Sequence, residues 1–242
     1  MKLLERIGSS WRDAGRDVVL IVVSILIAFS VDAWWGRTLD RRADEAEAKA
    51  LRDELAAGRE SLESTLSSLE RAAAATEDLL ALMGPSAPAP DIETLFPLMG
   101  QSLNLGFREL RSSVVDDVLA SRNPLLSDDP TLMRQLDEWV LGAEDLLVDA
   151  GHLERNRDVD LQAALIGVGF PGLAVVGAEY LDLPAPTFPL ETDALVRSTD
   201  VYAGFYYRAF RIELVRSSVS SLMALTDSIV VRLENGPDAR AS

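Results

Sequence analysis

Few side chains in this 242-residue sequence have the chemistry of a catalytic or metal site. Cysteine is absent, and the one histidine, His152, lies near Asp149 and Glu154 on a predicted helix. Without thiols there is no disulfide, thiolate metal site or cysteine nucleophile, and one imidazole is too few for an ordinary zinc site. No serine stands in a nucleophile turn beside a base. The sequence therefore predicts no catalytic residue, no metal ligands and no cofactor.

Two acidic pairs, Asp116-Asp117 and Asp128-Asp129, raise the question of calcium binding. A calcium loop alternates its oxygen ligands and turns on a glycine, and both features are missing here. These acids are predicted to be helix caps and solvent-facing residues instead.

Residues 167–172 match the dinucleotide-binding pattern G-x-G-x-x-G, and Glu191 stands about where a ribose-binding acid would be. That motif works between a strand and a helix, whose backbone amides meet the pyrophosphate. Here the preceding DLQAALI lies in helical surroundings, Pro171 removes one amide, and no further strand-helix units follow. A loop that ends a helix is the preferred interpretation.

Asp32 is an acid at the end of the most apolar run of the chain, Val18 to Trp35. From Val18 to Val31 the only polar residues are Ser24 and Ser30, whose hydroxyls can bond back to a helical backbone. Eighteen helical residues span about 27 Å, slightly less than the roughly 30 Å hydrocarbon core of a bilayer. The run is predicted to be a transmembrane anchor, and the lipid bilayer is its first expected partner.

The residues at the ends of this run are typical of a membrane interface. Trp11 precedes it and Trp34 and Trp35 end it, where amphipathic indoles collect. Asp32 lies three residues from the end, where its charge reaches headgroups or water. The alternative is a role for Asp32 in ion coupling, since ionisable groups inside a membrane are functional candidates.

The anchor predicts a topology with residues 1–17 as a cytoplasmic tail. Short arginine-bearing tails tend to stay inside, whereas long domains are exported largely regardless of charge. Nearly all basic residues are arginine and alanine is abundant, which is typical of a GC-rich bacterial gene. The expected location is the bacterial inner membrane, single-pass, with the bulk of the chain periplasmic. A cleaved signal peptide is the alternative interpretation of residues 1–35.

The net charge of −16 arises entirely beyond this tail, because residues 1–17 carry four basic and three acidic side chains and the remainder carries 19 basic and 36 acidic ones. Nucleic acid binding draws most of its affinity from cationic side chains. Nucleic acid is therefore excluded as an expected partner.

The remainder is predicted to be all-α. Residues 36–83 form a long helix with a heptad seam, packed against other helices of the chain or self-associating; the predicted seam is Leu62, Leu66, Leu69, Ala73, Thr76, Leu80 and Met83. A Pro-rich turn follows at 84–91, with Asp91 as the cap of a short helix at 92–99. A helix at 107–121 and another at 131–156 follow, the second beginning after Asp129-Pro130 and burying Leu132, Leu136, Trp139, Val140, Ala143, Leu147 and Ala150.

Residues 92–190 thus form a helical bundle insert that ends in a Pro-rich flap at 171–190. The long C-terminal helix at 191–236 carries a second seam: Phe205, Ile212, Val215, Val219, Leu222, Thr226, Ile229 and Leu233. Antiparallel pairing of residues 205–233 with 51–83 would bury both seams. A short disordered tail is expected at 237–242.

Two aromatic groups are candidates for a partner surface. One lies in the flap, because long loops in compact domains are often functional; the other follows Tyr202 on the C-terminal helix, where core packing is the preferred interpretation and a binding surface the alternative. The candidate partner surface is Tyr180, Leu183, Phe188, Tyr206 and Tyr207.

Three segments, SILIAFSVDAWWGRTLDRR, LRDELAAGRESLESTLSSL and SSVVDDVLASRNPLLSDDPTLMRQLDEW, together resemble a loosely defined group of bacterial single-pass membrane proteins of unknown function. Those proteins have an anchor ending in a tryptophan pair, a charged helix and a helical domain. The resemblance assigns no functional residue. The expected function is a non-catalytic scaffold or accessory subunit that binds other membrane proteins or itself; the alternative is a ligand-sensing bundle acting through a partner.

Overall fold

The computed structural model describes the backbone of residues 2–86, 88–107, 110, 112–121, 123–170 and 192–235, and the side chains of these except residues 2–22, 24, 124 and 125. Every regular element in these ranges is helical, which confirms the predicted all-α class. The chain divides into two compact units, Met1–Lys49 and Ala50–Ser242. The predicted flap, with Tyr180, Leu183 and Phe188, and the predicted tail lie outside the described residues.

The first unit is the beginning of helix α1 (Lys2–Leu82), which runs from the predicted anchor into the charged segment without a break. Every side chain from residue 25 to residue 35 is exposed. The Ser30 hydroxyl donates to the Leu26 carbonyl at 2.7 Å, the back-bonding expected of a serine in an apolar helix.

In the second unit, α1 buries a stripe whose spacing alternates strictly between four and three residues. Its members are Leu51, Leu55, Gly58, Leu62, Thr65, Leu69, Ala72, Thr76, Leu79 and Met83. The seam was predicted with Leu66, Ala73 and Leu80, which are only partly buried. That part of the prediction was wrong, because the buried residue at each of these turns is the preceding one, Thr65, Ala72 or Leu79.

The C-terminal segment contains two helices, α7 (Thr192–Arg197) and α8 (Thr199–Asn235), where one was predicted. The Ser198 hydroxyl accepts from the Val201 amide at 3.3 Å, so a serine caps the new helix at the break. All predicted seam residues of α8 are buried except Leu233, which is partly buried.

Two contacts at opposite ends relate α1 to this C-terminal segment. Arg59 Nε donates to Asp227 Oδ1 at 2.6 Å, and the Gly84 amide donates to the Val196 carbonyl at 2.9 Å. A residue further along α1 therefore contacts a residue that comes earlier in the C-terminal segment. The carboxylate raises the pKa of Arg59 above its usual value through this hydrogen bond.

Helix α2 (Ile92–Leu103) is longer than predicted and continues through Pro97. Asp91 occupies its N-cap position, but its side chain makes no cap hydrogen bond. Residues of α2 pack with α1, α7 and α8 in one apolar cluster that includes Leu79, Met99 and Phe205.

Helix α3 (Ser113–Ser121) begins six residues later than the predicted start at Phe107, which is not helical. Its N-terminus is capped by a residue of α1. Glu54 Oε1 accepts from the amides of Val114 at 2.9 Å and Val115 at 3.2 Å. A cap that comes from a distant helix leaves no local signal in the sequence.

After the short helix α4 (Pro124–Ser127) comes α5 (Pro130–Arg155), whose predicted cap is confirmed. Asp129 Oδ1 accepts from the amides of Thr131 and Leu132, both at 3.1 Å. Of the predicted buried residues, Leu147 is exposed and Val140 only partly buried, because Leu146 and Leu153 face the core instead. A π-helical turn (Asn156–Leu161) then leads into α6 (Gln162–Gly167).

Candidate functional site

The predicted membrane-interface residues lie on the exposed part of α1. Trp34 and Trp35 are more than half exposed, with ring centroids 6.2 Å apart, and Asp32 is exposed as well; the side chain of Trp11 is not described. Large apolar side chains beside them are also exposed: Val23, Ile25, Leu26, Ile27, Phe29, Val31 and Leu39. No described residue of this unit covers them.

Among the described residues, one helix, α8, is long and apolar enough to cross a membrane by length and composition. The core helix of a soluble domain meets the same criteria. Along its length α8 makes polar contacts with α5: Arg211 to Asp149, Trp139 to Thr226 and Arg232 to Asp129. These are the contacts of a helix packed within the chain.

The side of α8 opposite its seam carries an exposed aromatic face, which consists of Tyr202, Tyr206, Tyr207, Phe210 and Leu214. Tyr202 and Tyr206 stack on each other with centroids 6.2 Å apart. The aromatic group predicted on this helix is Tyr202, Phe205, Tyr206, Tyr207 and Phe210. Of these only Phe205 is buried, so core packing was the wrong interpretation for the other four. Exposed apolar residues at successive turns of one helix are typical of an interaction surface.

Arg208 occupies the seam position that the prediction left out, and it is 1% exposed. Its guanidinium donates to the carbonyls of Ser102 at 2.8 Å, Leu103 at 3.2 Å and Leu153 at 3.2 Å. Two of these carbonyls belong to the last turn of α2, where they lack partners within the helix. Arg208 thus holds α2, α5 and α8 together.

Burial lowers the pKa of Arg208 to about 10, with the charge of Arg157 acting in the same direction and Asp158 against it. The side chain therefore remains a cation at neutral pH. The donors to three carbonyls replace the water that the charge loses, and no carboxylate of the described residues is hydrogen-bonded to it.

The π-helical turn begins where α5 reaches Arg208. An extra residue per turn widens the helix there, and such turns occur frequently at functional sites. The turn ends at Leu161, which packs against Gly204 of α8. A Cβ built on Gly204 would lie 2.7 Å from Leu161 Cδ2, so any larger residue at this position would require the Leu161 side chain to shift.

Beside this contact lies an open cavity of about 660 Å³, here called the π-turn cavity. Its polar lining residues are Asn156 and Asp160 from the turn and Asp200 and Tyr207 from α8. Asn156 is 1% exposed, and neither its Oδ1 nor its Nδ2 has a hydrogen-bond partner. An unsatisfied buried amide costs about 1–3 kcal/mol, which makes it the most informative polar group of the described chain.

The remaining candidates from the sequence are the G-x-G-x-x-G match, His152 and possible metal ligands. The helix before the G-x-G-x-x-G match ends at Gly167, and Gly169 has a φ of 81°, so the described part of the match is a helix-ending loop as predicted. His152 is exposed on α5. Within the described part of the chain, no three or more histidine or acidic side chains gather as metal ligands.

Comparison with known proteins gave no significant match to a family model, to a curated protein or to a solved structure.

Proposed function

We propose that the protein is a non-catalytic, membrane-anchored helical scaffold or accessory subunit of a bacterial membrane protein complex. Residues 18–35 cross the inner membrane, residues 1–17 are cytoplasmic, and residues 36–242 are periplasmic. The part beyond the anchor is an antiparallel helical bundle. The role rests on interactions with lipid and with other membrane proteins rather than on a reaction.

The observation that carries the anchor is the exposure of its apolar side chains. Leu26, Ile27 and Phe29 are each 59–68% exposed, and large apolar residues rarely lie in a contiguous exposed run on a soluble protein. Burial of such a side chain is worth about 1.5–3 kcal/mol. A bilayer supplies that burial around the whole circumference of a lone helix, and the Trp34-Trp35 pair fits its interface.

The bundle is supported by the two matched seams of α1 and α8, which share the same alternation of four and three residues. The Arg59–Asp227 and Gly84–Val196 contacts have the opposite order along the chain that antiparallel helices require. Both stripes also contact Trp139 of α5, through Gly58 and Thr226, so burial within one helical bundle removes them from water.

The aromatic face is the proposed partner surface. Tyrosine and phenylalanine are enriched in the centres of protein interfaces because they bury a large area at low entropic cost. The partner is another membrane protein that reaches α8 from the periplasmic side.

Membrane insertion is tested by extracting cell membranes that contain the full chain with alkaline carbonate. The protein should stay in the pellet, and a protease added to spheroplasts should cleave the bundle but spare a tag at the N-terminus. Release by carbonate, or protection of the bundle, would contradict the anchor or its orientation.

The partner surface is tested with a photocrosslinking amino acid at Tyr206 and, as the matched control, at Ser220, which is exposed further along the same helix. Crosslinks to a membrane protein should form from Tyr206 and not from Ser220. Equal yields from both positions would show that the aromatic face is not the contact.

A second candidate function is ligand sensing, because helical bundles bind small molecules between their helices. The π-turn cavity favours it. A sensor of this kind would transmit its signal through a partner.

A further inference from the structure

We propose that the π-turn cavity binds a small organic ammonium compound, whose cationic group contacts Asp160 and Asp200 and whose polar group bonds to Asn156. The site develops the ligand-sensing alternative and shares Tyr207 with the aromatic face, but it does not depend on the membrane anchor or on the contact tested at Tyr206. Its failure would leave carbonate extraction and the Tyr206 crosslinks unchanged.

The charges of the residues that line the π-turn cavity indicate which class of ligand would bind there. Asp160 and Asp200 both line the cavity, and the described lining residues include no cationic side chain. Arg157 and Arg208, which follow the lining residues Asn156 and Tyr207 in the sequence, are already engaged, because Arg157 pairs with Asp158 at 2.6 Å and Arg208 donates to three carbonyls. The local field therefore favours a cation.

The ligand is an organic cation rather than a metal ion. Two carboxylates, an amide and a phenol are fewer charged ligands than a divalent cation site ordinarily uses, and the described residues hold no cluster of three. The exposed ring of Tyr207 adds a surface on which an ammonium group can rest through a cation–π contact. A cavity of about 660 Å³ has the size of an ordinary small-molecule site.

Asn156 is the second and independent indication of a ligand. Its backbone amide is satisfied by the carbonyls of His152 and Leu153, yet its side chain, buried at the edge of the cavity, has no partner. A leucine, which has the same branched shape and no polar atom, would remove the unsatisfied amide. A buried polar side chain without a partner destabilises the fold, and a ligand that bonds to it would explain its presence.

The probes are putrescine, choline and the uncharged isostere of choline, 3,3-dimethylbutan-1-ol, titrated onto the detergent-solubilised full chain by saturation-transfer NMR. At least one of the two amines should bind, and the uncharged isostere should bind at least about tenfold more weakly. No binding of either amine, or equal binding of the isostere, would overturn the proposal.

The double variant Asp160→Asn/Asp200→Asn should weaken amine binding about tenfold, whereas Asp145→Asn, an exposed acid on α5, should change it less than twofold. All three sites are exposed, so the variants should fold. Asn156→Leu should raise the melting temperature and abolish binding. An unchanged affinity in the double variant, or a lower melting temperature in Asn156→Leu, would contradict the site.

Nanodiscs distinguish two sources of the ammonium group. A free amine should bind the chain equally in phosphatidylglycerol and in phosphatidylethanolamine discs. If the ligand is a lipid headgroup, phosphatidylethanolamine should compete with the probe and lower its apparent affinity in those discs alone. Both results support the ammonium site, whereas absence of binding in both lipids would overturn it.

Discussion

The indole of Trp139 donates to the Thr226 hydroxyl at 2.9 Å, and both side chains are 0% exposed. The same hydroxyl donates to the Leu222 carbonyl at 2.8 Å. The hydroxyl oxygen of Thr226 therefore accepts a hydrogen bond from the buried indole of α5, while the hydroxyl group donates one to its own helix. This pair fixes how α5 and α8 meet within an otherwise apolar seam.

Thr226→Val should leave the indole without an acceptor and lower the free energy of unfolding by about 1–3 kcal/mol. Trp139→Phe removes the donor as well as part of the ring. In the double variant the two losses should not add, and the coupling energy should be about 1 kcal/mol. Chemical denaturation of the four proteins measures it; strictly additive losses would show that the hydrogen bond contributes nothing.

Arg208→Met should destabilise the protein by about 2–4 kcal/mol, because three carbonyls lose a charged donor. Arg208→Lys should be nearly as harmful, since one ammonium group cannot span carbonyls on two helices. Circular dichroism during thermal unfolding gives the comparison. If the methionine variant is the more stable protein, then the desolvation of the charge outweighs its hydrogen bonds.

Two glycines should respond oppositely to alanine. A Cβ at Gly58 would lie 3.6 Å from Trp139 Cζ2, an ordinary contact, so Gly58→Ala should stabilise α1 by up to about 1 kcal/mol. Gly204→Ala would force Leu161 aside and should cost about 1–3 kcal/mol. Melting temperatures that move in the same direction would contradict the close approach at Gly204.

Glu54→Ala should expose the first amides of α3 and cost about 1–2 kcal/mol, with Asp53→Ala, an exposed neighbour, as the control. The local measurement is hydrogen exchange at Val114 and Val115, which should accelerate only in the Glu54 variant. Unchanged exchange would mean that the carboxylate does not cap the helix.

The helical class, the continuity of α1 and the seam of α8 could be predicted because they follow from spacing along one helix. Where the prediction was wrong, contacts with other helices determined which side chains are buried. Thr65 is buried in place of the larger Leu66, whereas Ala72 is buried in place of the equally large Ala73, so side-chain size alone does not identify the buried edge of α1. Arg208 fits the spacing of the seam, but a charged side chain is not expected to be buried.

The candidate site could not be predicted from the sequence for a related reason. Its walls come from a π-helical turn and from the first turns of α8, which are distant in sequence. A π-helical turn has no clear signature in residue types. The one usable signal was Gly204 within an otherwise uninterrupted helix, which indicates close approach of another element.

The placement of Gly58 against Trp139 also determines the alignment of the helices. A seven-residue repeat alone permits neighbours to slip by one heptad and still bury leucines. Here a slip would bring Leu51 or Thr65 to the position of Gly58, where a Cβ alone would already be in van der Waals contact with the indole at 3.6 Å. The glycine at position 58 therefore disfavours the shifted pairings of the helices that the repeat alone would allow.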